Sequence, residues 1–143
     1  MDTELMFGAA NLFVLAGWAA LLASPFAPRF ADIVGGAAVP LLLAVAYTGL
    51  VLAFWTRAEG GFGSLADVAT LFQTPQMLLA GWIHYLAYDL FVGAWIVRTA
   101  RREGIAFWMV VPLLVPAFLF GPVGYLAFSA LRAALVRRSA VAA

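Results

Sequence analysis

Apolar residues along the chain fall into four long blocks, separated by short clusters of proline, glycine and charge. Leu5–Ser24 and Ile33–Thr56 carry no charged residue. Gln76–Val97 carries Asp89 and the only histidine, His84, while Ile105–Leu131 is again uncharged but contains Pro112, Pro116 and Pro122. A helix needs about 20 apolar residues to cross about 30 Å of hydrocarbon, and each block is that long. The pattern predicts an all-α integral membrane protein, a bundle of four transmembrane helices making a single transmembrane domain over residues 1–143.

The connections are short. Ser24-Pro25-Phe26-Ala27-Pro28 stops the first helix, because proline lacks an N–H and fixes φ, and Gly35-Gly36 lies near the start of the second. Gly60-Gly61-Phe62-Gly63 breaks the chain again, and Ser64 and Asp67 follow in capping-box spacing. Leu65, Ala69 and Phe72 then share one helical face, which predicts a short interfacial helix between the second and third spans. Thr74-Pro75 reads as the N-cap and first-turn proline of the third span.

Four crossings put both ends on one side, and the flanking arginines then tie. Arg57, Arg132, Arg137 and Arg138 fall on one face, Arg29, Arg98, Arg101 and Arg102 on the other. The positive-inside rule cannot choose between them. An alternative breaks the tie: Ile105–Leu131 enters and returns at Phe120-Gly121-Pro122, bringing Arg98–Arg102 and Arg137–Arg138 to one side.

Composition sharpens this picture. Hydrophobic residues make up 66% and charged ones 10% of the chain, and the mean hydropathy is +1.02, values that a compact water-soluble domain does not reach. The blocks cover about two-thirds of the chain and leave no room for a soluble domain. All eight cations are arginine, and no basic run with interleaved aromatics predicts a nucleic-acid partner. With no cysteine, disulfides, thiolate metal sites and cysteine nucleophiles are excluded. One histidine excludes a His-only metal cage within one chain, so no metal and no cofactor is expected. Asp2 and Glu4 precede the first block, unlike the basic start of a secretory signal, and no Ser/Arg-rich leader is visible. The expected location is a bacterial cytoplasmic (inner) membrane, crossed several times.

The third block holds the chemistry. At about 100° per residue, with His84 at 0°, Tyr88 falls near 40°, Tyr85 near 100°, Asp89 near 140° and Trp82 near 160°. All the polar groups occupy one half of the helix, which is expected to face the bundle interior or a cavity. A carboxylate at mid-span costs about 2.5–3.5 kcal/mol on insertion scales, so Asp89 must be paired, protonated or wet. Asp89 and His84 are therefore the candidate acid and base, bracketing a substrate rather than bonding each other. Tyr85 is the natural hydrogen-bond partner of Asp89, and Tyr88 stands in the same relation to His84. Asn11 in the first span and Tyr47-Thr48 in the second are mid-helix candidates to join them, Asn11 more as an interhelical clamp. Most tryptophans lie near span ends, where aromatic belts are usual; Trp82, on the polar half, does not.

The run Gly81-Trp82-Ile83-His84-Tyr85-Leu86-Ala87-Tyr88-Asp89-Leu90-Phe91-Val92-Gly93, followed by Trp95, Arg98, Arg101 and Gly104-Ile105, resembles the signature of the abscisic-acid-deficient-4-like family. Phe120-Gly121-Pro122-Val123-Gly124, Asn11 with Gly17-Trp18, and Pro40-Leu41-Leu42-Leu43 are also similar to it. The resemblance covers essentially the whole chain. It implies a small membrane protein of carotenoid biosynthesis, whose plant members are needed to convert the xanthophyll violaxanthin to neoxanthin by opening an epoxide and forming an allene. On that basis the chain is expected to be an isomerase of the neoxanthin-synthase type, acting on a carotenoid or other polyisoprenoid lipid. Asp89 and His84 would be its acid and base, with Tyr85, Tyr88, Trp82, Asn11 and Tyr47 orienting the substrate. A non-catalytic carotenoid- or lipid-binding scaffold subunit is the alternative. A bundle this small has little room for a long polyene, which makes a homodimer interface a second place to hold it.

Overall fold

The computed structural model describes residues 2–141. Helix α1 covers Thr3–Leu22, and Asp2 caps it by accepting the Glu4 and Leu5 amides, each at 3.1 Å. Helix α2 (Pro28–Ile33) runs through a π turn at Val34–Ala38 into α3 (Val39–Phe54). Pro40 has no N–H to offer the preceding turn, so the ladder is rerouted there, with the Val39 amide bonding back to the Val34 carbonyl. A single 3-10 turn, Trp55–Arg57, closes α3. Helix α4 (Leu65–Leu71) follows, and the Ser64 hydroxyl accepts the Asp67 amide at 3.1 Å, as the capping spacing predicts.

Helix α5, Pro75–Arg102, is the axis of the molecule, and α1, α3, α6 and α7 all pack against it. It extends five residues past the predicted Val97, because arginine is a good helix former and complements the negative C-terminal end of the dipole. Thr74 and Pro75 do start it, although the Thr74 side chain makes no cap bond. Among the described residues, three helical stretches are long and apolar enough to cross a membrane: Thr3–Leu22, Pro28–Arg57 and Pro75–Arg102.

The fourth block departs from a single span. It forms α6 (Phe107–Leu119) and α7 (Gly121–Val141), which break at Phe120 and fold back on each other as a hairpin. Gly124 lies so close to Ala117 that any side chain on it would overlap the Ala117 backbone. These residues are seven apart and would sit about 10 Å apart along a continuous helix. The prolines explain the break. Pro112 and Pro116 each remove an amide from α6, and Pro122 occupies the first turn of α7, where a missing N–H costs nothing.

The hairpin lies along α5. Trp95 packs edge-on to Phe128 with ring centroids 5.6 Å apart, and meets Tyr125 at 5.1 Å. At the C-cap of α5, Glu103 receives both the Nε–H of Arg132, at 2.7 Å, and a second guanidinium N–H. That bond holds the Glu103 carboxyl below the usual carboxylate range. The tip of the hairpin thus lies beside the middle of α5, and both of its open ends lie beside the arginine-rich end of α5.

Candidate functional site

Asp89 is 5% exposed, in the middle of α5. Its Oδ1 accepts the Gly121 amide at 3.1 Å, so the carboxylate caps the first turn of α7 across the bundle. Helix N-termini carry unpaired amides and a positive dipole end, which is the natural counterpart of a carboxylate that the membrane cannot solvate. Gly121 is required here by proximity, since a Cβ on it would collide with Asp89 Oδ1. The other oxygen, Oδ2, is buried with no hydrogen-bond partner.

A cavity of about 410 Å³ lies against this carboxylate. Asn11, Trp18, Trp82, Tyr85, Phe118 and Phe120 are among its walls, so the hairpin tip closes what α1 and α5 begin. The Tyr85 hydroxyl donates to the Leu119 carbonyl, and Tyr85 lines the cavity alongside Asp89. Trp82 donates its indole N–H to Asn11 Oδ1 at 3.1 Å, and Asn11 in turn donates to the Phe7 carbonyl at 2.8 Å. Asn11 is the interhelical clamp that the sequence suggests, and it also holds Trp82 at the cavity wall.

His84 lies elsewhere. It is exposed on the outer surface of α5, in tilted ring contact with Tyr47 and Tyr88 at centroid distances of 5.6 and 4.6 Å. Tyr88 itself is 61% exposed. His84 and Tyr47 line a different cavity, of about 480 Å³, together with Trp55, Phe62 and Phe72. The expectation that the polar half of α5 faces the bundle interior or a cavity holds for Trp82, Tyr85 and Asp89, which line the Asp89 cavity, and for His84, which lines the other; Tyr88 lines neither of these two. Leu79, Ala80, Ile83, Leu86, Ala87 and Leu90 are buried and form the packing face, and of the polar half Asp89 alone is fully buried. The rotation of about 140° between His84 and Asp89 sends them to different neighbours and to different cavities.

Some site residues are not singled out by the sequence reading. Trp18 looks like a belt residue near a span end, yet it is buried, packs edge-on to Phe118 with centroids 5.4 Å apart, and lines the Asp89 cavity. Gly121 and the Leu119 carbonyl enter through the hairpin, and the Phe-Gly-Pro turn was the signal for both. Among the described residues no three His, Cys, Asp or Glu side chains converge as a metal-ligand set. The site offers a carboxylate, a phenol and aromatic faces.

The family model described as ABA DEFICIENT 4-like matches residues 5–128. The chain belongs to the ABA4-like family. No curated protein and no solved structure matches it. Membership in the ABA4-like family, together with helices long enough to cross a bilayer, points to a carotenoid-related membrane protein. The match runs through the Asp89 block of α5 and ends in α7 beyond the hairpin tip, so the family covers every residue that lines the Asp89 cavity.

Proposed function

We propose that this ABA4-like protein is a multi-pass protein of a bacterial cytoplasmic membrane that isomerises a carotenoid-like lipid in the Asp89 cavity. The observation that carries this reading is the buried Asp89 Oδ2, left without a partner beside an aromatic-walled space. Such a carboxyl can deliver a proton to an epoxide oxygen, after which the C–O bond breaks and positive charge develops on the ring carbon and the polyene. The faces of Trp18, Trp82, Tyr85 and Phe118 attract that charge. Loss of a proton from the adjacent polyene carbon then gives an allene, and the mass of the substrate is unchanged. With the carboxyl now anionic, Asp89 is itself the base to which that proton can return, and Tyr85 orients it. This assigns both proton transfers to Asp89, with His84 outside the reacting pocket.

The test is pigment profiling in a host that makes epoxy-carotenoids, comparing the native chain with Asp89→Asn. Asparagine keeps an acceptor for the Gly121 amide while removing the proton. We expect a new isomer of unchanged mass with the native chain, and conversion lower by about 100-fold or more with Asp89→Asn at equal protein level. An unchanged pigment profile with both chains would sink the reading.

The bond from Gly121 to Asp89 favours a second reading, a non-catalytic carotenoid- or lipid-binding subunit in which the carboxylate serves the fold. In that case the purified protein carries pigment, and Asp89→Asn lowers stability alone.

A further inference from the structure

The hairpin redistributes the charges of the chain. Its open ends lie beside the C-terminal end of α5, as the Arg132–Glu103 pair shows, and α2 reaches the same end through the Asp32–Arg101 ion pair, at 2.5 Å. Arg29, Asp32, Arg98, Arg101, Arg102, Glu103, Arg132 and Arg137 therefore gather at one end of the bundle, and α7 carries Arg138 beyond them. At the opposite end stand Asp2, Glu4, Arg57, Glu59 and Asp67, on the start of α1 and the connection from α3 to α5. Of the eight arginines, seven belong to the first end and one to the second. The formal balance is +5 against −3, with Asp89 alone between them.

We propose that the chain crosses the membrane three times, with its arginine-rich end on the cytoplasmic side and the 58–74 connection on the opposite side, and that the α6–α7 hairpin is a re-entrant element loaded from the cytoplasmic side. The proposal rests on the multi-pass membrane reading above. Arginine and lysine near the ends of spans set orientation, because they resist transfer across the bilayer and are attracted to the anionic headgroups of the inner leaflet. A single helix over Ile105–Leu131 would split the arginines evenly and leave orientation undetermined; the hairpin makes the partition one-sided. The lengths agree. Helix α6 has 13 residues and spans about 20 Å, enough to reach the middle of about 30 Å of hydrocarbon and too little to cross it. Backbone that turns at membrane depth is tolerated where its polar groups find partners within the protein, and here Asp89 takes the buried Gly121 amide, the Tyr85 hydroxyl donates to the Leu119 carbonyl and the Phe120 amide bonds back to the Pro116 carbonyl.

The absence of native cysteine makes the test direct. Single-cysteine variants Ser64→Cys, Ala106→Cys and Ala134→Cys, each at an exposed position, are treated with a membrane-impermeant maleimide in intact spheroplasts, after permeabilisation, and in detergent, where all three thiols must react. The proposal expects Ser64→Cys to label in intact cells, and Ala106→Cys and Ala134→Cys to label several-fold more after permeabilisation. The reverse pattern overturns the orientation, and labelling of Ala106→Cys and Ala134→Cys from opposite sides overturns the re-entrant hairpin. Equal labelling of all three in intact cells overturns instead the multi-pass membrane reading on which the proposal rests.

Discussion

Asp89 commits one carboxylate oxygen to the Gly121 amide and leaves the other unpartnered. This division makes a fold role and a chemical role separable by mutation. Gly121→Ala pushes a methyl group into Oδ1 and leaves the ionisable group in place. It is expected to cost about 1–3 kcal/mol, as overpacking of a close contact does, read as a lower Tm in detergent micelles. Asn11→Ala removes the acceptor of the Trp82 indole. Interhelical hydrogen bonds in membranes are worth about 0.6 kcal/mol on average, so a small Tm loss is expected, and a loss of several kcal/mol would mean that Asn11 does more than clamp. At this scale the sequence was informative about identity and weak about company. A lone carboxylate in a 22-residue apolar block marks Asp89 without any structure. That its partner is a backbone amide 32 residues away is invisible, because an amide has no sequence signature.

The helices show the same contrast between length and direction. Hydropathy located α1, α3 and α5, because a span must be apolar over its whole length and these residues are. It could not tell a helix that crosses from two that meet at a turn, since Ile105–Leu131 is equally apolar in either case. Proline spacing and the Phe-Gly-Pro turn held that information. Angular arithmetic likewise separated His84 from Asp89, and the packing of α3 and α4 against one side of α5, and of α1 and the hairpin against the other, made the separation physical. The outer end of the hairpin is fastened by Arg132 and Glu103. Because the native pKa of Glu103 lies below its unfolded value, the bond adds stability fully above the unfolded pKa and loses it as pH falls through the lower native one. The fall in Tm on acidification is therefore expected to be shallower in Glu103→Gln than in the native chain. The difference should shrink at high salt, since the pair is exposed. A variant that titrates like the native chain would remove Glu103 from this role.

For the whole molecule, α1, α3 and the hairpin all pack on α5, and the hairpin is the last of them in chain order. While the chain up to α5 has been made and α6 and α7 are still being synthesised, Asp89 has no Gly121 amide to meet and the cavity beside it lacks the wall that Phe118, Leu119 and Phe120 supply. The late hairpin is then the piece that finishes the job of burying a charge. A chain truncated before Gly121 is accordingly expected to be cleaved more readily than the full chain in limited proteolysis in detergent, because it lacks the element that buries Asp89.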